Sequence, residues 1–309
     1  MESKPLGRSG LRVSVVGLGC NNFGQRCDQA QTRAVVAKAL DLGVTLFDTA
    51  DVYGGGGVSE EYLGKALESR RADVIVATKF GMPMGDGFRR GGSRRWIMQA
   101  AEHSLRRLGT DWLDLYQIHF PDAGTPIEET LRALDDLVRQ GKVRYVGCSN
   151  FAGWQVVEAA WTAKTAGLAP FVSAQNFYNL LERNVERELV PACNAYGLGV
   201  LPYFPLASGL LTGKYRRGEA APEGTRLSAP RFKAALTDKN FDKVEKLAGV
   251  AADAGKSLLD LAIGWLASQP HVPSVIAGAT KPEQVEQNVR AGEWKLGAAE
   301  LAQVNEALS

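Results

Sequence analysis

Short runs of β-branched and apolar residues alternate with helix-patterned segments along nearly the whole chain. Strict alternation of strands and helices predicts a parallel sheet whose strands are buried on both faces. Eight such units close most naturally into an α/β fold, the eight-stranded parallel (β/α)8 TIM barrel; an open doubly wound sheet is the alternative. The predicted strands are VVGLG (15–19), VTLFD (44–48), VIVATK (74–79), LDLYQIH (113–119), VRYVGCS (143–149), FVSAQN (171–176), GVLPYF (199–204) and SVIAGA (274–279).

Two segments show the helical pattern most clearly. In the first, Thr125 is predicted to cap the N-terminus, with Pro126 in the first turn, Glu128 completing a capping box and Gly141 ending the helix. Its apolar stripe consists of Ile127, Leu131, Leu134 and Val138. The second helix, near residues 94–109, carries a similar stripe of Ile97, Ala101, Leu105 and Leu108.

Two other segments suggest how the ends of the barrel are covered. PLGRSGLRVSVVG (5–17) predicts an N-terminal β-hairpin that turns at Ser9-Gly10 and covers one end. Residues 207–239 form the longest stretch without clear periodicity, and loops of this length are usually lids or binding loops. No change of composition and no Pro/Ser-rich linker divides the chain. Residues 1–309 are therefore predicted to form a single domain.

The composition narrows the class of protein. The chain of 309 residues is 45% hydrophobic and 23% charged with a net charge of +2, which gives no reason to expect nucleic acid or an anionic membrane as partner. We see neither the apolar core of a signal peptide nor a run near the ~20 residues of a membrane helix. The four scattered cysteines predict reduced thiols in the cytoplasm. The pattern does not indicate an oligomeric state.

Two glycine-rich segments and two histidines resemble known sites only superficially. GLGCNNFG (17–24) departs from the spacing of a dinucleotide fingerprint, and the glycines at 54–57 lack the Lys-Ser/Thr ending of a phosphate loop. His103 and His271 have no partner at metal-ligand spacing. We therefore expect no metal, and a metal-dependent barrel hydrolase becomes a distant alternative.

Polar residues follow the predicted strands at their carboxyl ends, where the chemistry of a parallel barrel collects. A single charged residue at such a position could be a solubilising cap. Four types of ionisable side chain at neighbouring barrel positions indicate a catalytic site instead. The residues at these ends are Asp48, Tyr53, Lys79, His119, Ser149, Asn150, Gln175, Asn176 and Tyr203.

The ionisable residues among them suggest general acid catalysis on a carbonyl group. A free tyrosine has a pKa of about 10 and is a poor proton donor at neutral pH. The ammonium of Lys79 would lower the pKa of Tyr53, and Asp48 would keep Lys79 charged and oriented. His119 could donate a hydrogen bond to the incoming oxygen or pass on a proton. Because no side chain supplies a hydride, a nicotinamide cofactor is implied.

Six motifs that occur in order along the chain, from about Pro5 to Leu308, together resemble the aldo-keto reductases. They are LFDTADVYG, VATKF, LYQIHFPD, GCSNF, SAQNFYN and PLASGLLTGKY. Within that family, PLASGLLTGKY and AGATKPEQVEQN are most similar to the branch of bacterial reductases and potassium-channel β-subunits. The resemblance implies a (β/α)8 barrel with an N-terminal hairpin and NADPH-dependent reduction of an aldehyde or ketone, possible in either direction. It also implies a catalytic tetrad of Asp48, Tyr53, Lys79 and His119, with Tyr53 as proton donor.

The resemblance also implies a cofactor site. Ser149, Asn150 and Gln175 would bind the nicotinamide carboxamide beside Asp48, and Tyr203 would stack on the ring. The pyrophosphate would lie against Phe204, Pro205, Leu206, Ala207, Ser208, Lys214 and Arg226. Adenosine and its 2′-phosphate would lie against Gly278, Thr280, Gln284, Gln287 and Asn288, and the first loop would contribute Cys20 and Asn21.

Two departures from the family pattern affect specificity. Many members carry a lysine and an arginine at the 2′-phosphate, where this chain has Gly278 and Gln284, so NADH is an alternative cofactor; Lys281 could restore some charge. The expected lack of a long C-terminal loop predicts an open pocket for a small-molecule carbonyl substrate. Its predicted lining is Phe23, Phe80, Met82, Trp96 and Phe120. A regulatory subunit that senses the cofactor with slow or no turnover is the alternative function.

Overall fold

The computed structural model describes residues 1–85, 87–229 and 235–308. The strands are β1 Ser3–Pro5, β2 Arg12–Ser14, β3 Val16–Gly19, β4 Leu46–Asp48, β5 Ile75–Phe80, β6 Leu113–Ile118, β7 Val143–Ser149, β8 Phe171–Phe177, β9 Gly199–Tyr203 and β10 Val275–Gly278. The α-helices are α1 Gln29–Asp41, α2 Tyr53–Gly56, α3 Val58–Leu67, α4 Arg94–Leu108, α5 Ile127–Arg139, α6 Gly153–Ala166, α7 Leu189–Tyr196, α8 Asp238–Asp253, α9 Leu258–Ala267, α10 Pro282–Gly292 and α11 Ala298–Leu308. Short 3-10 helices cover Glu68–Asp73, Asn184–Glu186, Ala207–Thr212 and Arg226–Ser228.

Strands β3 to β10 form one parallel sheet in the order β10-β3-β4-β5-β6-β7-β8-β9. Strands β9 and β10 also contact each other, so the sheet is nearly closed into a barrel. The eight predicted strands are all present, with ends that differ by at most two residues. The sequential strand order confirms the barrel over the doubly wound alternative, in which the order reverses at a switch point.

The hairpin covers the amino-terminal end of the barrel, as predicted. Strands β1 and β2 pair antiparallel, and the Leu6 N–H donates to the carbonyl of Leu11. Leu6 and Val13 are fully buried against apolar residues of the barrel interior. Those interior residues are Leu46, Ala77, Leu115, Leu201 and Ile276. The apolar plug leaves the opposite end of the barrel as the place for a site.

The predicted cap of α5 is wrong, although the helix itself is confirmed. The hydroxyl of Thr125 donates to the Asp122 carboxylate at 2.8 Å, and Pro126 occupies the cap position without a side-chain bond. Asp122 also accepts the N–H groups of Gly92 and Gly124, so it organises this loop and draws Thr125 away from the helix. Gly141 follows the helix with φ of +74°, the left-handed conformation that favours glycine.

Three further observations bear on the class of protein. All four cysteines are free thiols. None of the helices in the described ranges combines the length and hydropathy needed to cross a bilayer. In the predicted binding loop at 207–239, residues 230–234 lie outside the described part, and the remainder carries the 3-10 helices Ala207–Thr212 and Arg226–Ser228.

Candidate active site

A buried ion pair lies at the carboxyl-terminal end of the barrel. Lys79 follows Ala77 on the interior face of β5, and its ammonium donates to both carboxylate oxygens of Asp48 at 2.8 and 2.7 Å. It also donates to the carbonyl of Thr49 at 2.9 Å, so three acceptors surround the ammonium. The amide of Gln175 donates to Asp48 at 2.8 Å. Since Lys79 has no exposed surface, these bonds offset the cost of burying its charge.

Tyr53 and His119 lie beside this pair and face a cavity. The Lys79 ammonium is 5.2 Å from the centre of the Tyr53 ring and interacts with its hydroxyl. The rings of Tyr53 and His119 meet edge to face with centroids 5.8 Å apart, and Phe120 stacks on His119 at 5.4 Å. The Nδ1 atom of His119 is buried and has no hydrogen-bond partner among the described residues. The four ionisable residues therefore form one contiguous group.

Burial and charge set the protonation of this group. Burial raises the pKa of Tyr53 above its ordinary value of 10.0, and the opposing effect of Lys79 does not overcome it. Lys79 therefore lowers the pKa of Tyr53, as predicted, but by less than burial raises it. Burial alone would lower the pKa of Lys79, but Asp48 and Tyr53 together outweigh it and the pKa is raised. Burial, with a smaller effect of Lys79, lowers the pKa of His119 to about 3, so its imidazole is neutral at pH 7.

A network of amide and hydroxyl groups at the ends of β7, β8 and β9 adjoins the ion pair through Gln175. Asn150 has φ of +61° and donates to the carbonyl of His119 at 2.9 Å. The Tyr203 hydroxyl donates to Oδ1 of Asn150 at 2.8 Å, and Ser149 donates to the carbonyl of Gln175 at 2.8 Å. These bonds hold the polar side chains of β7, β8 and β9 in fixed positions around the cavity.

The cavity has a volume of about 550 Å³, in the range of small-molecule sites. Its lining contains most of the residues singled out from the sequence: Cys20, Asn21, Asp48, Tyr53, His119, Ser149, Asn150, Gln175, Tyr203, Phe204, Pro205, Leu206, Ser208, Lys214, Arg226, Gly278, Thr280, Gln284, Gln287 and Asn288. Ala207 packs against the core and Lys79 lies behind Asp48, so neither lines the cavity. Lining residues that the sequence did not suggest are Gly19, Asn22, Arg26, Gly209, Thr212, Leu259 and Ile276.

The loop after β9 reaches across the cavity to the loop after β3. Arg26 donates to the carbonyl of Gly224 at 2.8 Å, and Arg226 donates to Oδ1 of Asn22 at 3.0 Å. Arg226 also lies over the ring of Phe204, 5.4 Å from its centre. Both contacts join residues about 200 positions apart in sequence. No local pattern at residues 22–26 could have identified them.

The predicted substrate pocket needs correction. Phe23 and Phe80 have no exposed surface and Trp96 is 1% exposed, and all three pack in the hydrophobic core between barrel and helices. Phe80 follows Lys79 on β5, so the alternation of side chains turns it away from the barrel interior. Met82 and Phe120 do line the cavity, and Phe120 is 47% exposed. The apolar wall beside Tyr53 and His119 therefore consists of these two residues.

Several backbone features mark the wall of this cavity as a candidate binding site. Gly278 lies where a Cβ atom would come within 3.3 Å of the Asn22 side chain, so the strand end stays narrow beside the cavity. Phe204 and Ser208 have φ of +53° and +59°, a left-handed backbone that is uncommon in such residues and clusters at functional sites. The described residues contain no group of three His, Cys, Asp or Glu side chains that could hold a metal.

Comparison with known proteins agrees with this geometry. Residues 15–309 match the model of the aldo/keto reductase family. A probable voltage-gated potassium channel subunit beta of Oryza sativa subsp. japonica is 40% identical over 303 residues, covering 94% of this chain and 91% of the relative. An uncharacterized oxidoreductase of Bacillus subtilis is 38% identical, with 99% and 95% covered. An L-glyceraldehyde 3-phosphate reductase of Escherichia coli O157:H7 is 36% identical, with 99% and 92% covered.

Proposed function

The chain belongs to the aldo/keto reductase family, and we propose that it is an NADPH-dependent oxidoreductase that reduces an aldehyde or ketone to the alcohol. The observation that carries the proposal is the contiguous group of Asp48, Lys79, Tyr53 and His119 at the base of the cavity. Relatives named as oxidoreductases support the class of reaction. The same site would oxidise an alcohol in the reverse direction.

Tyr53 is the proton donor in this proposal. Its raised pKa keeps the hydroxyl protonated before reaction, and the Lys79 ammonium stabilises the tyrosinate that remains after the proton has left. Asp48 keeps that ammonium charged and in place. A neutral His119 has no second ring proton to give up, so its role is to donate a hydrogen bond to the carbonyl oxygen.

The amide and hydroxyl network would hold the nicotinamide end of the cofactor. A bound NADPH supplies the hydride that no side chain can supply. Ser149, Asn150 and Gln175 would hydrogen-bond the carboxamide, and Tyr203 would support the ring. Lys214 and Arg226, which both line the cavity, would neutralise the pyrophosphate.

The substrate in this proposal is a small carbonyl compound with an apolar or aromatic portion. Met82 and Phe120 provide the apolar wall beside Tyr53 and His119. The relative named for L-glyceraldehyde 3-phosphate makes that compound a second substrate to test. An activated aromatic aldehyde is the better first probe, because its ring matches the apolar wall and its carbonyl accepts hydride readily.

The test follows the nicotinamide absorbance with nitrobenzaldehyde and either NADPH or NADH, for wild-type protein and Tyr53→Phe. We expect consumption that is faster with NADPH and a loss of at least about 100-fold in kcat in the variant, the usual size of a general acid contribution. Binding of NADPH, measured by fluorescence, should change less than about 3-fold. Undiminished turnover in Tyr53→Phe would show that another group delivers the proton.

A second candidate is a regulatory subunit that senses the cofactor with slow or no turnover. Relatives named as potassium-channel β-subunits favour it, since they are among the most similar sequences and cover more than nine tenths of the chain. Tight NADPH binding without consumption of any carbonyl, together with capture of a stable partner, would support this function over the reductase.

A further inference from the structure

The loop between β3 and α1 brings a cation into the cavity that has no role in the proposed chemistry. Arg26 lines the cavity, and its guanidinium has one bond to protein among the described residues, to the Gly224 carbonyl at 2.8 Å. A guanidinium has five N–H donors, so Arg26 has donors left for a ligand. A cation that keeps most of its donors available in the wall of a cavity favours an anionic ligand group.

The surroundings of Arg26 identify which end of the cavity it faces. The next residue, Cys27, contacts the Thr280 carbonyl through its sulfur at 3.9 Å. Asn22, in the same loop, donates to the carbonyl of Ala279 at 3.3 Å. Arg26 therefore lies beside the segment that follows β10.

The other lining residues near that segment are neutral. Thr280 and Gln284 bond each other, with the Thr280 N–H donating to Oε1 of Gln284 at 2.7 Å. Gln287 and Asn288 follow on α10, and Asn288 is 4% exposed. These groups can hydrogen-bond a ribose and an adenine, but they carry no charge to balance a phosphate ester. Arg26 and Arg226 are the cations of the described lining that lie near them, since both adjoin Asn22 in the loop after β3.

Two other cations compete for this role. Arg226 donates to Asn22 and lies over the ring of Phe204, so contacts within the protein already hold part of its guanidinium. Lys281, which like Arg26 is exposed, does not line the cavity. Arginine is also better suited than lysine to a phosphate, because its planar fork can make two parallel bonds.

We propose that Arg26 binds the ribose 2′-phosphate of NADPH and thereby sets the preference for NADPH over NADH. This inference rests on the proposed function, because it assumes that the cavity holds a nicotinamide dinucleotide. The positive charge beside the 2′-phosphate then comes from the loop after β3. Gly278 and Gln284, at and after the end of β10, are uncharged and cannot supply it. The Gly224 contact orients the guanidinium before the ligand binds.

The experiment measures equilibrium binding by calorimetry, without turnover, for 2′,5′-ADP and 5′-AMP. These probes differ only in the 2′-phosphate. In Arg26→Gln we expect the affinity for 2′,5′-ADP to fall by about 10- to 100-fold, the range for a hydrogen bond to a charged group, and the affinity for 5′-AMP to change less than about 2-fold. Arg26→Lys should lie between, because it keeps the charge and loses the fork.

Lys281→Gln is the matched control, since it removes one positive charge from the same end of the protein. We expect it to change both affinities by less than about 2-fold. A loss of affinity for 2′,5′-ADP in Lys281→Gln but not in Arg26→Gln would overturn the proposal. An equal loss of affinity for both probes in Arg26→Gln would also overturn it. That result would mean that Arg26 contacts a group that both nucleotides contain.

NADPH and NADH binding by the same variants separates this inference from the proposed function. A wild-type protein that binds neither dinucleotide would refute the function itself. Wild-type protein that prefers NADPH, with a preference unchanged in Arg26→Gln, would leave the function standing and refute the role of Arg26. The expected result is a preference that falls by about 10-fold or more in Arg26→Gln and is retained in Lys281→Gln.

Discussion

The two ends of the barrel are built from the same strands and differ in what they bury. At the amino-terminal end the interior positions are Leu46, Ala77, Leu115 and Leu201, packed under the hairpin. Two residues further along, the same interior faces carry Asp48, Lys79, Gln117 and Tyr203. Alternation of side chains puts both sets inside the barrel. Within four strands, one step of two residues changes the interior from an apolar core to a polar group that includes the candidate active site.

The difference between the two ends explains how the protein tolerates a site that costs stability. Buried charges, a histidine with a strongly lowered pKa and a left-handed backbone at Phe204 and Ser208 all cost stability. The plug itself, formed by Leu6, Val13 and the interior residues that they contact, is apolar, and its burial stabilises the fold. We infer that the barrel separates the two tasks along its axis. Changes at one end should then affect activity and changes at the other should affect stability.

The largest effect is expected from a substitution in the buried ion pair of the site. Lys79→Met removes the cation from a fully buried pair and leaves the Asp48 carboxylate without its charge partner, which should cost about 3–5 kcal/mol of unfolding free energy and abolish measurable reduction. Chemical denaturation and the aldehyde assay measure the two losses.

The double variant Lys79→Met/Asp48→Leu is the control. It should recover part of the stability, because no uncompensated charge remains, and none of the activity. If Lys79→Met unfolded at the same denaturant concentration as the wild type, the ion pair would be exposed to water in solution and the separation would be wrong.

The next effect concerns the plugged end. Leu115→Ala opens a cavity below the hairpin and should lower the unfolding free energy by about 2–5 kcal/mol. Because Leu115 lies away from Tyr53 and His119, kcat measured well below the unfolding temperature should change less than about 2-fold. A large loss of kcat with intact folding would show that the apolar plug positions the site, and the two ends would then be coupled.

The smallest effect is a pH dependence to which His119 should contribute most, because its pKa shift is the largest among the three histidines. Burial also lowers the pKa of His271, which adds to the same dependence. Folded His119 has a pKa of about 3, below its ordinary value of 6.5, so between these values the unfolded chain takes up a proton that the folded protein does not. The unfolding free energy should therefore fall as the pH falls from about 6.5 toward 3, by up to about 1.4 kcal/mol per pH unit from this group. Denaturation curves across this range measure it.

In a plot of unfolding free energy against pH, His119→Asn should make the slope between pH 6.5 and 3 shallower. Leu115→Ala should lower the unfolding free energy at every pH without changing that slope. An unchanged slope in His119→Asn would mean that other groups carry the pH dependence and that His119 is solvated. His103→Gln, a change on the half-buried face of α4, controls for the loss of any histidine.

Much of the fold follows from the sequence, because its signals are local. Strand runs, their alternation with helices and the Gly141 helix end are repeated or short-range patterns, and all appear in the structure. The positions that follow each strand could also be listed, since parallel strands bring their carboxyl ends to one face. That rule identifies Asp48, Lys79 and His119 from the sequence alone.

Other features depend on what distant segments place around a residue. Phe80 could have been excluded from the pocket by alternation after Lys79, but the burial of Trp96 on α4 depends on how that helix packs. The raised pKa of Tyr53 reflects how much water the barrel removes from its hydroxyl, a property of the whole cavity. Asn22 and Arg26 meet Arg226 and Gly224 only because two loops cross the same opening. Local sequence encodes periodicity and chemical type, whereas desolvation and long-range contact exist only once the barrel has closed.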